Sequence, residues 1–288
     1  MAPHKLYIDS RARLNARNSS HADFSVQLPR PIEVPESRAF IDSVHLPNTF
    51  PTIHAQNKYV YVVERVGQPA TVYMRKLALT EGTYNGVELA THLQTVLNTQ
   101  VIPTQSSTGT NLGTNSYTVA FSSTTGKLTI SNSTVNATFE LWPRDYLQAN
   151  STLWTMTAPY SYAANDDAYD VLGFAGGSIL SGNSATPIVG TAHVNMLGYH
   201  TLFIHSELGL QGDSLTCTGE TSVVRRVVLD QPQGSMVHDF HSLPFDYVRV
   251  PKSQIRQLHF RLSDWLGRTV ELHNSWSFSV IFVPEDEI

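Results

Sequence analysis

Two-residue periodicity in the C-terminal stretch, residues 255–283, constrains this chain more than any other feature. Leu258, Phe260 and Leu262 alternate with Gln257, His259 and Arg261. After Asp264-Trp265-Leu266-Gly267, Val270 and Leu272 alternate with Thr269, Glu271 and His273, and Trp276, Phe278, Val280 and Phe282 then stand opposite Ser277 and Ser279. Successive side chains of a strand point to opposite faces, so this pattern specifies half-buried antiparallel strands. It reads as a hairpin followed by a third strand, all presenting one apolar face. Such a face needs a second sheet to cover it, and that sheet has to come from far upstream.

Upstream, short strands are expected at 6–10, at 24–28 (ending where Pro29 and Pro31 remove ladder donors), at 39–46 before Pro47, at 58–66 and at 71–79. That spacing suits a sandwich. The pattern changes at Glu81. Asn85 can cap a helix and Glu88 can reach back to it, while Leu89, Leu93, Val96 and Leu97 share one face, with an end near Asn98 before Pro103. A Ser/Thr/Gly/Asn linker (105–116) leads to a small meander built on Tyr117, Val119 and Phe121, on Leu128 and Ile130, and on Phe139 and Leu141. The stretch 142–189 is irregular and aromatic, which marks a functional segment or one packed on a partner. Strands resume at 193–197, 201–205, 223–229, 235–240 and 247–250. The expected organisation is a mainly β chain: a discontinuous sandwich from 1–80 and 190–288, with an inserted α+β unit of helix, meander and aromatic region at 81–189.

With 15% charged residues, a formal net charge of -5 and no long basic run, the chain is not expected to bind nucleic acid. The nearest basic segment holds Lys5, Arg11, Arg13, Arg17, Arg30 and Arg38, offset by Asp9, Asp23, Glu33 and Glu36. One cysteine, Cys217, rules out an intrachain disulfide and a cysteine-based zinc site. No signal-peptide core and no membrane-length apolar run is read, and the sequons at Asn18, Asn132, Asn136 and Asn150 are taken as products of a Ser/Thr/Asn-rich composition.

Twelve histidines invite a metal or catalytic reading. His238-Asp239-Phe240-His241 has no metalloprotease or facial-triad spacing, and His193, His200 and His205 are scattered. Gly176-Gly177-Ser178 lacks the closing glycine of a nucleophile elbow, and residues 173–177 lack a phosphate-loop ending. Asp166, Asp167 and Asp170 lack the spacing of a calcium loop. Catalytic, metal and cofactor-binding residues are accordingly none. What remains is binding surface: Trp142, Trp154, Tyr160 and Tyr162 in polar loops, and an acidic tail at 285–288.

The order of short motifs is itself informative. Leu6-Tyr7-Ile8-Asp9-Ser10-Arg11, then Asp23-Phe24-Ser25-Val26-Gln27-Leu28-Pro29, then Val44-His45-Leu46-Pro47-Asn48-Thr49-Phe50, resembles the opening of penton-type minor capsid proteins of the polinton-like virus, adintovirus and virophage group. Leu79 to Gly86 leading into a helix, Gly126-Lys127-Leu128-Thr129-Ile130, Leu172-Gly173-Phe174, and Leu258 to Asp264 before Gly267-Arg268 are similar as well. The resemblance implies a jelly-roll β-sandwich with an insertion, a homopentamer at each icosahedral vertex, contact with a double-jelly-roll major capsid protein, a location in the virion capsid, and no catalytic site to transfer. A host receptor or spike is a further partner to consider. On this reading Arg11, Arg13 and Arg17 form an arm that docks on neighbours, and Trp142, Trp154, Tyr160 and Tyr162 are further candidates for subunit contact. The alternative is a carbohydrate- or receptor-binding jelly roll; a β-fold hydrolase is the third reading.

Overall fold

A computed structural model describes residues 3–15, 17–66, 71–99, 117–135, 137–155, 161–163, 166–174, 178–209, 222–240 and 247–285. The chain opens with β1 (His4–Asp9), β2 (Asp23–Val34) and β3 (Ser37–Pro47). There follow β4 (Tyr59–Val66), β5 (Thr71–Ala78), α1 (Gly86–Thr99), β6 (Tyr117–Ser122), β7 (Lys127–Asn132), β8 (Ala137–Leu141), α2 (Arg144–Ala149), α3 (Tyr169–Leu172), β9 (Leu180–Asn183) and β10 (Ile188–Val189). The last third supplies β11 (Thr201–Ser206), β12 (Val223–Val228), β13 (Met236–Asp239), β14 (Val248–Val250), β15 (Ser253–Ser263) and β16 (Ser277–Pro284). Two compact units result, Met1–Phe50 with Tyr199–Ile288, and Pro51–Gly198.

The first unit is a jelly-roll β-sandwich. One sheet runs β1-β16-β3-β13, with β14 also on β3, and the other runs β12-β11-β15-β2; every pairing is antiparallel. Ile8, Ile41, Val44, Phe278, Val280 and Phe282 from the first sheet share a core with Phe24, Val26, Ile204, Leu258, Phe260 and Leu262 from the second. Phe260 meets Phe278 edge-on at 4.7 Å, and Trp276 meets Phe24 edge-on at 5.9 Å, the geometry that the ring quadrupole favours. Leu258, Phe260, Phe278 and Val280 are at most 3% exposed, as their alternation requires.

Two local expectations are corrected here. The C-terminal apolar runs do not form one three-stranded face, because β15 and β16 belong to opposite sheets and residues 270–276 make no strand. Alternation tells which side of a strand is buried, and two strands facing each other across a core satisfy it as well as two neighbours do. Val270 and Leu272 are nonetheless buried. The second strand also continues past Pro29 and Pro31: β2 is the end strand of its sheet, and its pairing jumps from Gln27–Gln257 to Ile32–Ile255, so both prolines sit in a bulge where no ladder donor is needed. In β3 the register with β16 shifts between Ser43 and Ile41, which turns both Ile41 and Val44 inward and leaves Asp42 at the bulge.

The second unit holds a sheet of order β5-β4-β8-β9 and a smaller one of order β10-β7-β6. Val60, Tyr61, Val62 and Val63 of β4 are all at most 1% exposed, which explains a run apolar on both faces: β4 is a central strand covered on each side. Pairing of β4 with β5 and β8 places residues 59–66 and 71–78 in this unit, so its boundaries fall at Phe50/Pro51 and Gly198/Tyr199 and not at 80/81 and 189/190. The expected meander is also rearranged. β7 pairs with β6 and β10, while β8 pairs with β4 and β9. Residues 193–197 form no strand, their backbone bonding instead to the turn before β7 and to α3, Val194 N to Gly126 O at 2.8 Å and Asn195 N to Val171 O at 2.9 Å.

Helix α1 follows its sequence closely. Asn85 Oδ1 accepts from Val87 N and Glu88 N at 3.1 and 2.9 Å, and Glu88 Oε2 accepts from Asn85 N at 2.9 Å, a reciprocal capping box. Leu89, Ala90, Leu93, Val96 and Leu97 are buried. Gly86 packs under Phe121, where a Cβ would meet the ring at 2.5 Å. Gly173 ends α3 with φ 74, and a Cβ there would lie 2.5 Å from Ala192 O, so the Leu172-Gly173-Phe174 motif requires its glycine twice over.

Candidate functional site

The N-terminal segment is fastened to its own unit. Asp9 caps a single turn of 3-10 helix, its Oδ1 accepting from Arg11 N at 2.8 Å, and the Arg11 guanidinium closes on both carboxylate oxygens, the nearest contact at 2.6 Å. That hydrogen-bonded guanidinium holds the Asp9 carboxyl below its ordinary range. Arg13 donates to Ser10 O at 3.1 Å and lies 3.3 Å from the His21 ring nitrogens. Burial, then the nearby Arg13 charge, lowers the His21 pKa. Ser10 Oγ accepts from Trp276 N, and the Trp276 indole donates to His21 O at 2.7 Å. Of the three arginines proposed as a docking arm, Arg11 and Arg13 are thus engaged within the chain, and Arg17 is exposed.

The aromatic candidates gather inside the second unit. Trp142 and Trp154 are 4% and 5% exposed and 6.0 Å apart, and Tyr61 meets Trp154 and Tyr162 edge-on at 5.0 and 5.5 Å. Tyr160 lies outside the described residues. Around these rings runs a polar brace. Tyr61 Oη donates to Asp166 Oδ1 at 2.7 Å, Lys76 Nζ donates to Asp166 Oδ2 at 2.9 Å and sits 3.9 Å from the Tyr59 ring centre, and Tyr169 Oη donates to Tyr61 O at 2.6 Å. Burial raises the pKa of the Tyr61 and Tyr169 hydroxyls. Arg144 binds Asp167 at 2.8 Å and Asp170 at 3.1 Å, yet burial still pushes the Asp167 carboxyl up. The three acids thus face two separate cations. They do not converge on one point.

The scattered histidines do not converge either. His205, 3% exposed, binds Ser222 Oγ and Ser263 Oγ at 2.9 and 2.6 Å. His238 stands across from His45 at 2.9 Å between Nδ1 atoms, with Phe240 stacked against it. Among the described residues no three of His, Cys, Asp and Glu gather as a metal site, and no helix is long and apolar enough to cross a membrane. His241, Cys217, residues 175–177 and 286–288 lie outside the described residues.

One site escaped the sequence reading. Residues 14, 15 and 17–20 fold over the outer face of β2 and β15, held by Leu14 N to Ser25 O at 2.8 Å and Ser20 N to Asp23 O at 3.1 Å. They enclose a groove of about 530 Å³ with Asp23 and His259, 2.7 Å apart, on its floor. The available signal was the Asn/Ser-rich segment next to a strand whose first outward residues, Asp23, Ser25 and Gln27, are polar.

No protein-family model matches the sequence, and no curated protein matches it. Solved structures do. The mavirus penton protein aligns over 98% of this chain and 99% of its own, with a TM-score of 0.50 at 10% identity. The fold is similar to that of the mavirus penton protein. A chain of the Sputnik virophage, solved by electron cryo-microscopy, aligns over 99% of both chains at 11% identity with a TM-score of 0.46. Because the mavirus penton protein aligns almost end to end, the likeness takes in the inserted unit as well as the sandwich.

Proposed function

We propose that this chain is a non-enzymatic structural subunit of a virus capsid, the penton, five copies of which close a ring at each vertex and meet the major capsid protein along its outer edges. The observation that carries the reading is the near end-to-end likeness of fold to the mavirus penton protein, insertion included. A ring needs heterologous contacts, two different patches that meet around a closing rotation. The sheet β1-β16-β3-β13 offers two such patches on its outermost strands: Tyr7 on β1, 81% exposed, and Met236 on β13 with Phe240 just beyond it, 44% and 58% exposed. Large apolar side chains in those positions suit burial against a second copy. Arg17 and Tyr160 remain candidate contacts to neighbours. Trp142, Trp154 and Tyr162 would serve the assembly by fixing the shape of the inserted unit, and Arg11 and Arg13 by holding the N-terminal segment in place.

The test is the mass and shape of the purified protein. Light scattering at rising concentration is expected to approach five times the 31.9 kDa chain mass, with five-fold rings in electron micrographs. A protein that stays monomeric, and also fails to join particles when co-expressed with a double-jelly-roll major capsid protein, overturns the reading.

A further inference from the structure

The groove over β2 and β15 is built in a way the sandwich does not need. Phe24, Val26, Leu258 and Phe260 turn into the core, so Asp23, Ser25, Gln257 and His259 stand on the outer face, with Ser25 directly across from His259. The covering loop turns at Asn15, whose φ of 50 makes it the one non-glycine residue with positive φ among those described, a conformation that asparagine tolerates better than most residues. Asn18 N and Ser19 N both bond to Asn15 O, at 2.8 and 3.1 Å, which sets the Asn18 side chain at the groove.

Among the described residues, the side chains of Asn15, Asn18, Ser25 and Gln257 make no hydrogen bond within the chain. Each amide offers a donor pair and an acceptor, and the hydroxyl offers both. Asp23, held by His259 at 2.7 Å, adds a fixed carboxylate with lone pairs to spare. Among the described residues no lysine or arginine lines the groove, so phosphate, sulfate and sialic acid find no countercharge there. Among the described residues its apolar lining is Leu14 and the nearly buried Phe24, so a peptide finds no pocket there for an anchoring side chain. A ligand dense in neutral hydroxyls matches what is left, and about 530 Å³ lies within the ~300–1,000 Å³ range of small-molecule sites.

We infer that this groove binds a neutral glycan, with Asn18, Asp23 and Gln257 hydrogen-bonding the ring hydroxyls and His259 orienting Asp23. The inference rests on the groove alone and stands whether or not the chain forms a vertex ring.

Saturation-transfer NMR on the full chain tests it, with methyl α-mannoside, lactose and N,N′-diacetylchitobiose as neutral probes, 3′-sialyllactose as the anionic probe and an acetylated tetra-alanine as the peptide probe. At least one neutral sugar is expected to receive saturation. Asn18→Ala and Gln257→Ala, singly and together, should weaken its binding, by ten-fold or more in the double variant, while Tyr7→Ser leaves it unchanged. The side chains of Asn18 and Gln257 are exposed and make no hydrogen bond among the described residues, so these variants keep the fold, which circular dichroism and the melting temperature check. Transfer to none of the neutral sugars, transfer only to sialyllactose or to the peptide, or neutral-sugar binding indifferent to both substitutions overturns the inference.

Discussion

Glu64 is an acid in the interior of the inserted unit, 2% exposed, bonded to Arg75 at 2.8 Å and to Tyr117 Oη at 2.6 Å, with Oε2 left unpartnered. Removing one member of such a buried pair strands a charge. Arg75→Ala should therefore cost about 3–5 kcal/mol in denaturant unfolding, whereas the paired change Glu64→Leu with Arg75→Met should cost much less. A loss below 1 kcal/mol for Arg75→Ala would show the pair to be solvated. In the sandwich the carboxylates of Asp9 and Asp42 are held below their ordinary range, by hydrogen bonds from Arg11 and Lys5 respectively. A carboxylate depressed in the folded state stabilises above its unfolded pKa, about 3.9, and that contribution fades as pH falls through the folded value. The melting temperature should thus drop as pH is lowered below about 4, and Asp42→Asn should lower it at neutral pH while flattening the acid limb.

At the scale of elements, α1 and β15 make the most direct claims. Loss of the cap in Asn85→Ala should cost about 0.5–2 kcal/mol. Phe260→Ala, at a fully buried ring packed on Phe24 and Phe278, should cost about 3–5 kcal/mol; both are read by chemical denaturation. These two elements also show what was legible in the sequence. A capping box and a helical stripe are local, and so is alternation, so α1 and the buried faces of β2, β15 and β16 could be read from neighbours a few residues apart. Pairing partners could not. That β8 leaves β7 for β4, and that β16 faces β15 across a core instead of lying beside it, depends on contacts far apart in the chain. The groove was hidden for the same reason, since Asn18 and Gln257 come to line one groove only once β2 and β15 have paired.

For the whole molecule, the two crossing points between the units are the telling feature. Phe50 and Tyr199 stack edge-on at 5.2 Å in the sandwich. In the inserted unit, Thr52 Oγ1 donates to Met196 O at 3.1 Å, and a Cβ on Gly198 would sit 2.2 Å from Pro51 O. Each unit thus brings its own chain ends together. Replacing 51–198 by a short Gly-Ser linker should leave a sandwich that still unfolds cooperatively, as circular dichroism would show; a molten product would mean that the insertion is part of the fold's support. The vertex reading adds Phe240→Asp, expected to leave the monomer folded and shift light scattering from the ring toward single chains.

Those adjoining ends also set an order of events during synthesis. The inserted unit is contiguous and can fold as soon as it leaves the ribosome, while β1, β2 and β3 have emerged without the later strands they pair with. At roughly 5–20 residues per second, they wait on the order of ten to fifty seconds for their partners among β13 to β16. Through that interval the apolar sides of β2 and β3 are uncovered, which makes nascent-chain crowding and chaperone supply, more than final stability, the conditions that govern how much protein reaches its folded state.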